Sequence, residues 1–361
     1  MSLNGLWKTA LGAAALAMAC GASAAPKGIA VSVVPEKHAL GQEDDVVVSV
    51  TVTNTSDSPQ YLLKWRTPFE GVDAPLFDVK RDGEPVPYLG ALVKRGAPKQ
   101  SDYFLLKPGA SHTVKVELSA LYDMSVTGDY QISYKTASPD LFWNGHGKDM
   151  SEMASEAATV WVDGRLPRGA TPQAVLDLEA MKRDAANPSP SAGSLSFSKC
   201  TTTQQTTITQ ALSAGLNMAT NSDAYMSSGA PGPRYTKWFG ATDSARVNRV
   251  KANFAAIKDA FANKPVTVDC GCKKTYYAYV YPTQPYTIYV CKAFWSAPLT
   301  GTDSKGGTLL HEMSHFNVVA GTDDHAYGQA AAANLAITNP ALAVENADSH
   351  EYFGENTPAL Q

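Results

Sequence analysis

The spacing of apolar positions changes period midway along the chain. From residue 29 to about residue 162, apolar and polar positions alternate. Ile29-Ala30-Val31-Ser32-Val33 and Val46-Val47-Val48-Ser49-Val50-Thr51-Val52-Thr53 show it best, with residues 112–118 and 130–134 following later. A period of two turns one face of each strand toward a core. Turn-forming stretches such as Asn54-Thr55-Ser56-Asp57-Ser58-Pro59, Asp82-Gly83 and Pro108-Gly109 separate the runs. Short strands at this spacing predict an antiparallel sandwich of immunoglobulin-like type.

In the second half the period lengthens. Val247, Val250, Phe254, Ile257 and Phe261 fall at steps of three and four, which makes one apolar helix stripe over residues 243–263. Helices are also predicted over 202–228, 304–319 and 326–337, with strands at 266–270, 276–281 and 286–291. This half reads as α+β. Between the halves lie a short helical stretch, 171–183, and the Pro/Ser-rich run Asn187-Pro188-Ser189-Pro190-Ser191-Ala192-Gly193-Ser194, an exposed linker open to proteolytic nicking.

The 361 residues suit about two domains. A hydrophobic share of 44% with 18% charged residues is globular composition. Thirty basic residues against 34 acidic ones give a net charge of −4, which leaves no surplus to neutralise a phosphate backbone, so no nucleic-acid partner is expected. Lys8, a short apolar stretch at 11–19 and Ala22-Ser23-Ala24 form a signal-peptide pattern. The stretch is too short to cross a bilayer and stop there, so no membrane span is expected. The boundaries read as a signal peptide at 1–24, a β-domain at 25–165, a linker with the processing region at 166–195 and a second domain at 196–361. Secretion, with transit of a periplasm, is the expected localisation.

Loss of Cys20 with the signal leaves Cys200, Cys270, Cys272 and Cys291. Export makes two disulfides the default. Only Gly271 separates Cys270 from Cys272, and a bridge between them would be strained. Two pairings remain from the spacing: 200–270 with 272–291, or 200–272 with 270–291.

The chemistry concentrates in Thr308-Leu309-Leu310-His311-Glu312-Met313-Ser314-His315-Phe316, an HExxH pattern inside helical text. Residues four apart share a helix face, so His311 and His315 can offer nitrogen to one zinc ion, with Glu312 beside them as proton acceptor. A catalytic zinc needs a third ligand. His325, Asp323, Asp324, Glu345 and Glu351 are the candidates downstream. The metzincin spacing fails, because position 321 is glycine. A glutamate at 345 or 351 would make the site thermolysin-like.

Gly321-Thr322-Asp323-Asp324-His325-Ala326-Tyr327-Gly328 fits GTxDxxYG, and with HExxH it resembles the aspzincins, the deuterolysin and peptidyl-Lys metalloendopeptidase family. The resemblance implies a zincin-type metalloprotease fold, one Zn²⁺ per catalytic domain on His311, His315 and Asp324, Glu312 as general base, and Tyr327 as hydroxyl donor to the oxyanion. Pro233-Arg234-Tyr235-Thr236-Lys237-Trp238-Phe239-Gly240 and Asn346-Ala347-Asp348-Ser349-His350-Glu351-Tyr352-Phe353 look like the peptidyl-Lys branch. Carried over, Asp348 and Glu351 form a pocket for a substrate lysine. Being three apart, they can share a helix face and meet one cation. The family's cysteine order implies Cys200–Cys270 and Cys272–Cys291. The β-domain resembles bacterial propeptides.

The reading is therefore a secreted zinc endopeptidase, made as a zymogen and monomeric, that cuts proteins and peptides on the amino side of lysine and has its own propeptide domain as a partner. A deuterolysin-like protease of broader specificity is the nearest alternative. A catalytically silent binding or inhibitor protein built on the sandwich is the reading from another class.

Overall fold

A computed structural model of the protein describes residues 28–143, 150–186, 193–229 and 231–361. The expected signal peptide and most of the expected nicking region, 187–192, lie outside the described residues. In chain order the first half forms β1 (Ile29–Pro35), β2 (Ala39–Leu40), β3 (Val47–Asn54), β4 (Gln60–Leu63), β5 (Phe77–Arg81), β6 (Glu84–Pro85), β7 (Leu92–Lys94), β8 (Tyr103–Leu106), β9 (Ser111–Glu117), β10 (Gly128–Ser138), β11 (Ser151–Ala154) and β12 (Ala158–Val162). Helix α1 (Gln173–Ala186) follows.

The alternation seen in the sequence is what builds this region. Every second residue of β3 is buried, and Val48, Val50 and Val52 meet Tyr130, Ile132 and Tyr134 of β10 in one core. Two sheets enclose that core: β1-β3-β9, and β2-β12-β10-β5-β6 with β11 added on β10. The sheets are not purely antiparallel as expected, since β2 runs parallel to β12.

The second half contains β13 (Leu195–Ser198), α2 (Thr202–Ser227), α3 (Pro233–Phe239), α4 (Ser244–Asn263), β14 (Val266–Asp269), β15 (Ala278–Val280), β16 (Thr287–Val290), α5 (Lys292–Ser296), α6 (Lys305–His315), α7 (Gln329–Thr338), α8 (Pro340–Ala343) and α9 (Ala347–Glu355). A capping box starts α2: the Gln204 amide donates to Thr201 Oγ1, and the Thr201 amide donates to Gln204 Oε1. Asp243 accepts the first amides of α4. The apolar stripe of α4 buries Val250, Phe254 and Ile257 against Leu309, Leu310 and Met313 of α6 and Phe353 of α9. Disulfides Cys200–Cys270 and Cys272–Cys291 tie this half, the pairing the resemblance implied. Among the described residues no helix is long and apolar enough to cross a membrane.

Several boundaries differ from the sequence reading. Leu195, placed in the linker, is the first residue of β13 and pairs with Val266. The helix expected over 304–319 ends at His315, because the Thr322 amide turns back onto the Ser314 carbonyl. The helix expected from 326 starts at Gln329, after Gly328 takes a positive φ of 85°. Both helices shorten to free the loop at 316–328.

The sheet of the second half has the order β13-β14-β16-β15-β7. Its edge strand is therefore supplied by the first half of the chain. Leu92, Val93 and Lys94 pair antiparallel with Val280, Tyr279 and Ala278.

Candidate active site

Helix α6 is buried along its whole length. Ser304 caps it by accepting the Gly307 amide at 2.9 Å, and Glu355 of α9 accepts the amides of Asp303 and Ser304. Gly307 permits this approach: a Cβ there would lie 2.2 Å from Glu355 Oε1. So anchored, the helix presents His311 and His315 together, ring centroids 4.7 Å apart.

The ring nitrogens are sorted by their other partners. His315 Nδ1 lies 2.9 Å from the Thr322 carbonyl, which turns Nε2 inward. His311 Nδ1 lies 2.9 Å from Asp348 Oδ1 and 3.2 Å from Glu351 Oε2. The opposite nitrogen, Nε2, is 3.1 Å from Asp324 Oδ1, and His315 Nε2 is 3.6 Å from the same oxygen. Nε2 of both histidines and Oδ2 of Asp324 are buried without a hydrogen-bond partner. Buried polar atoms left unpaired are costly, and two imidazoles with one carboxylate are a donor set that zinc accepts. These three residues fit a zinc ion.

Asp324 is brought there by the loop that both shortened helices leave free. Its amide donates to Asp323 Oδ1 at 2.7 Å, so Asp323 organises the loop while Asp324 faces the histidines. The other candidates separate clearly. Glu345 is exposed, and the His325 amide donates to Asn346 Oδ1 while its ring stays outside the group of converging ligands. Glu351 is buried on the far side of His311 with Asp348, where the three side chains form a second group of converging atoms whose two carboxylates meet the Lys94 ammonium.

Burial raises the Glu312 carboxyl well above its usual range, and His311 opposes that only in part. Burial would raise Asp324 too, but His315 and His311 overcome it and hold the carboxyl low. Burial lowers His315. Tyr327 is buried and donates its hydroxyl to the Val93 carbonyl at 2.8 Å.

Asp348 and Glu351 do share the inner face of α9, and neither is exposed, unlike a solvated acidic face. Between them stands a cation from the β-rich half. Lys94 Nζ is 2.8 Å from Asp348 Oδ1, 2.7 Å from Glu351 Oε2 and 3.4 Å from Asp303 Oδ1. Burial disfavours the ammonium, yet Asp348 and Glu351 raise its pKa well above normal.

A family model described as lysine-specific metallo-endopeptidase, the aspzincins, matches residues 224–355. An extracellular protease of Aeromonas hydrophila is 52% identical over 325 residues, covering 88% of this chain and 90% of the relative. A peptidyl-Lys metalloendopeptidase of Armillaria mellea is 36% identical over 357 residues, covering 92% and 95%. The chain belongs to the aspzincin family of zinc metalloendopeptidases. A zinc peptidase structure from Grifola frondosa is 45% identical, covers 45% of this chain and all of its own, and has a TM-score of 0.44.

His311, Glu312, His315, Asp324 and Tyr327, the residues singled out in the sequence, are all buried, and the ligand atoms of His311, His315 and Asp324 converge. Sequence reasoning missed Lys94, Asp303 and Arg66, whose guanidinium donates to the backbone carbonyl of Asp324. The available signal for Lys94 was slight: an apolar pair followed by two basic residues, Leu92-Val93-Lys94-Arg95, in a domain otherwise poor in chemical groups.

Proposed function

We propose that this aspzincin is a secreted endopeptidase, made as a zymogen, that hydrolyses peptide bonds on the amino side of lysine. The observation that carries the specificity is a lysine ammonium held by two fully buried carboxylates, 2.8 Å from Asp348 and 2.7 Å from Glu351. Two acids compensate a buried cation that would otherwise cost several kcal/mol. A substrate without a cation would leave them facing each other unpaired. The planar guanidinium of arginine needs a broader fork than this pocket supplies.

His311, His315 and Asp324 would hold a single zinc ion. Bound there, zinc polarises a carbonyl and acidifies water. Glu312, buried and with its proton affinity raised, accepts the proton of the attacking water and returns one to the leaving amine. Tyr327 donates its hydroxyl toward the oxygen of the reacting carbonyl without adding charge. Asp348 and Glu351 draw the lysine side chain inward, which fixes the bond to be cut one residue before it.

The leader pattern at 1–24 and the extracellular relative support secretion. The β-rich half, read as an immunoglobulin-like sandwich, is the propeptide domain, and cutting between Lys182 and Lys199 would sever its covalent link to the protease, which acts as a monomer. A matched peptide set that differs only after the cut bond tests the specificity. Lysine should exceed arginine and methionine by far in kcat/KM; equal rates across the set would return the protein to a broad deuterolysin-like specificity.

A further inference from the structure

The lysine pocket and the loop that carries Tyr327 are joined at the start of α9. Two side chains there hold the backbone of residues 325–328. Asn346 Oδ1 accepts the amides of His325 and Ala326, each at 3.0 Å. Asp348 Oδ2 accepts the Gly328 amide at 2.6 Å, one residue beyond Tyr327. The other oxygen of that carboxylate, Oδ1, meets the Lys94 ammonium at 2.8 Å and His311 Nδ1 at 2.9 Å. One buried carboxylate therefore touches the ammonium, a proposed zinc ligand and the backbone beside the proposed hydroxyl donor.

The two clamps differ in what they depend on. Asn346 is neutral and is itself held by Ser349, whose Oγ accepts its side-chain amide at 3.1 Å, so this clamp is independent of the pocket. Asp348 is charged, and its position follows the pocket's contents. With an ammonium in place, Asp348 and Glu351 close on it at 2.8 and 2.7 Å. In that state the Tyr327 hydroxyl reaches the carbonyl of the residue before the lysine, 2.8 Å from the Val93 oxygen. With the pocket empty, two buried carboxylates face each other, at a cost of several kcal/mol unless they part or water enters. Either relief loosens Asp348 from the Gly328 amide, and the segment carrying Tyr327 loosens with it. A purely structural clamp needs only a neutral acceptor, as Asn346 shows at the neighbouring amides; it does not need a charge shared with the ammonium.

We propose that the substrate's lysine ammonium activates the enzyme as well as anchoring the chain: by fixing Asp348 it sets the Gly328 amide, and so brings the Tyr327 hydroxyl onto the carbonyl before the lysine. This rests on the lysine-directed reading above and adds how a filled pocket reaches the catalytic groups. Asp348 is then a positioning residue for Tyr327 in addition to binding the ammonium. Contact with a part of the substrate that does not react appears as rate instead of affinity. The preference for lysine accordingly lies mainly in kcat.

The test gives the activated enzyme, its zinc content checked by metal analysis, two fluorogenic peptides that differ only after the cut bond, Xaa–Lys and Xaa–Gly. n-Butylammonium, which reproduces a lysine side chain, fills the pocket that glycine leaves empty, and n-butanol is the uncharged control. kcat on Xaa–Lys should exceed kcat on Xaa–Gly on the order of 10²-fold, the scale of one oxyanion donor. Butylammonium should raise kcat on Xaa–Gly by roughly 10-fold and inhibit cleavage of Xaa–Lys, while butanol does neither. Asp348→Asn keeps an acceptor for the Gly328 amide but offers the amine no charge, so its gain from butylammonium should vanish. Thermal melting checks that this variant folds; if it does not, the wild-type arms decide alone. Lysine preference lying wholly in KM, with butylammonium inhibiting Xaa–Lys but leaving kcat on Xaa–Gly unchanged, would overturn the proposal and spare the lysine-directed reading. A folded Asp348→Asn that keeps the full gain would overturn the part assigned to Asp348. Failure of the lysine-directed reading looks different: the two peptides would be cut alike, and butylammonium would neither activate nor inhibit.

Discussion

A single carboxylate oxygen of Asp348 lies 2.9 Å from Nδ1 of His311 and 2.8 Å from the Lys94 ammonium. The residue that holds Lys94 thus also lies against a proposed zinc ligand. Partners of this second kind typically change metal affinity 10- to 100-fold when removed. Asp348→Asn should weaken zinc by about that factor and also lose lysine preference. Asp303→Asn, which touches the ammonium but not the histidine, should lose lysine preference alone. Zinc titration with a chelating indicator checks both, and an unaltered zinc affinity in Asp348→Asn would separate the two roles.

Asp324→Ala should abolish zinc binding while Glu345→Ala leaves it intact, because Asp324 lies against Nε2 of both histidines and Glu345 is exposed. Metal analysis of the two purified variants settles it. The reverse pattern would make the site thermolysin-like.

Glu312→Gln keeps the shape of the side chain and removes the proton acceptor, so it should retain zinc and lose nearly all turnover. Tyr327→Phe should reduce kcat on the order of 10²–10³-fold, the scale of one oxyanion donor. Rates near wild type in either variant would remove its assigned role.

His350, missing from the sequence reading as a site residue, gives a pH prediction. Its ring is buried between Phe239 and Phe254, its Nε2 meets Asn253, and burial pushes its pKa down to about 4. The unfolded chain takes up the proton near pH 6.5, well before the folded one. Stability from this group is therefore complete above about pH 6.5 and is lost as pH falls toward 4, by up to about 3 kcal/mol. Denaturant unfolding at several pH values should show a shallower acid decline for His350→Leu than for wild type. Parallel declines would contradict it.

Much of this site was legible because its signals are local. HExxH places two nitrogens on one helix face by its spacing alone, and Asp348 with Glu351 repeats that logic on α9. The period change marks the passage from strands to helices for the same reason. What escaped is long-range. Lys94 reaches Asp348 across 254 residues and Arg66 reaches Asp324 across 258, and no periodicity encodes either contact. With three residues, β7 is too short to show alternation, and its own domain gives no hint that it serves another sheet. The ends of α6 and α7 were overrun because Phe316, Val318 and Val319 continue an apolar pattern. There, Phe316 is buried in a turn instead of a helix.

Fragment analysis decides whether the enzyme is a zinc protease that cuts before lysine. A denatured protein of known sequence is digested with the activated enzyme, with and without a chelator, and the new N-termini are read by mass spectrometry. Nearly all should be lysine, and the chelator should suppress them. New N-termini scattered over apolar residues, or digestion that a chelator leaves unchanged, would contradict the account.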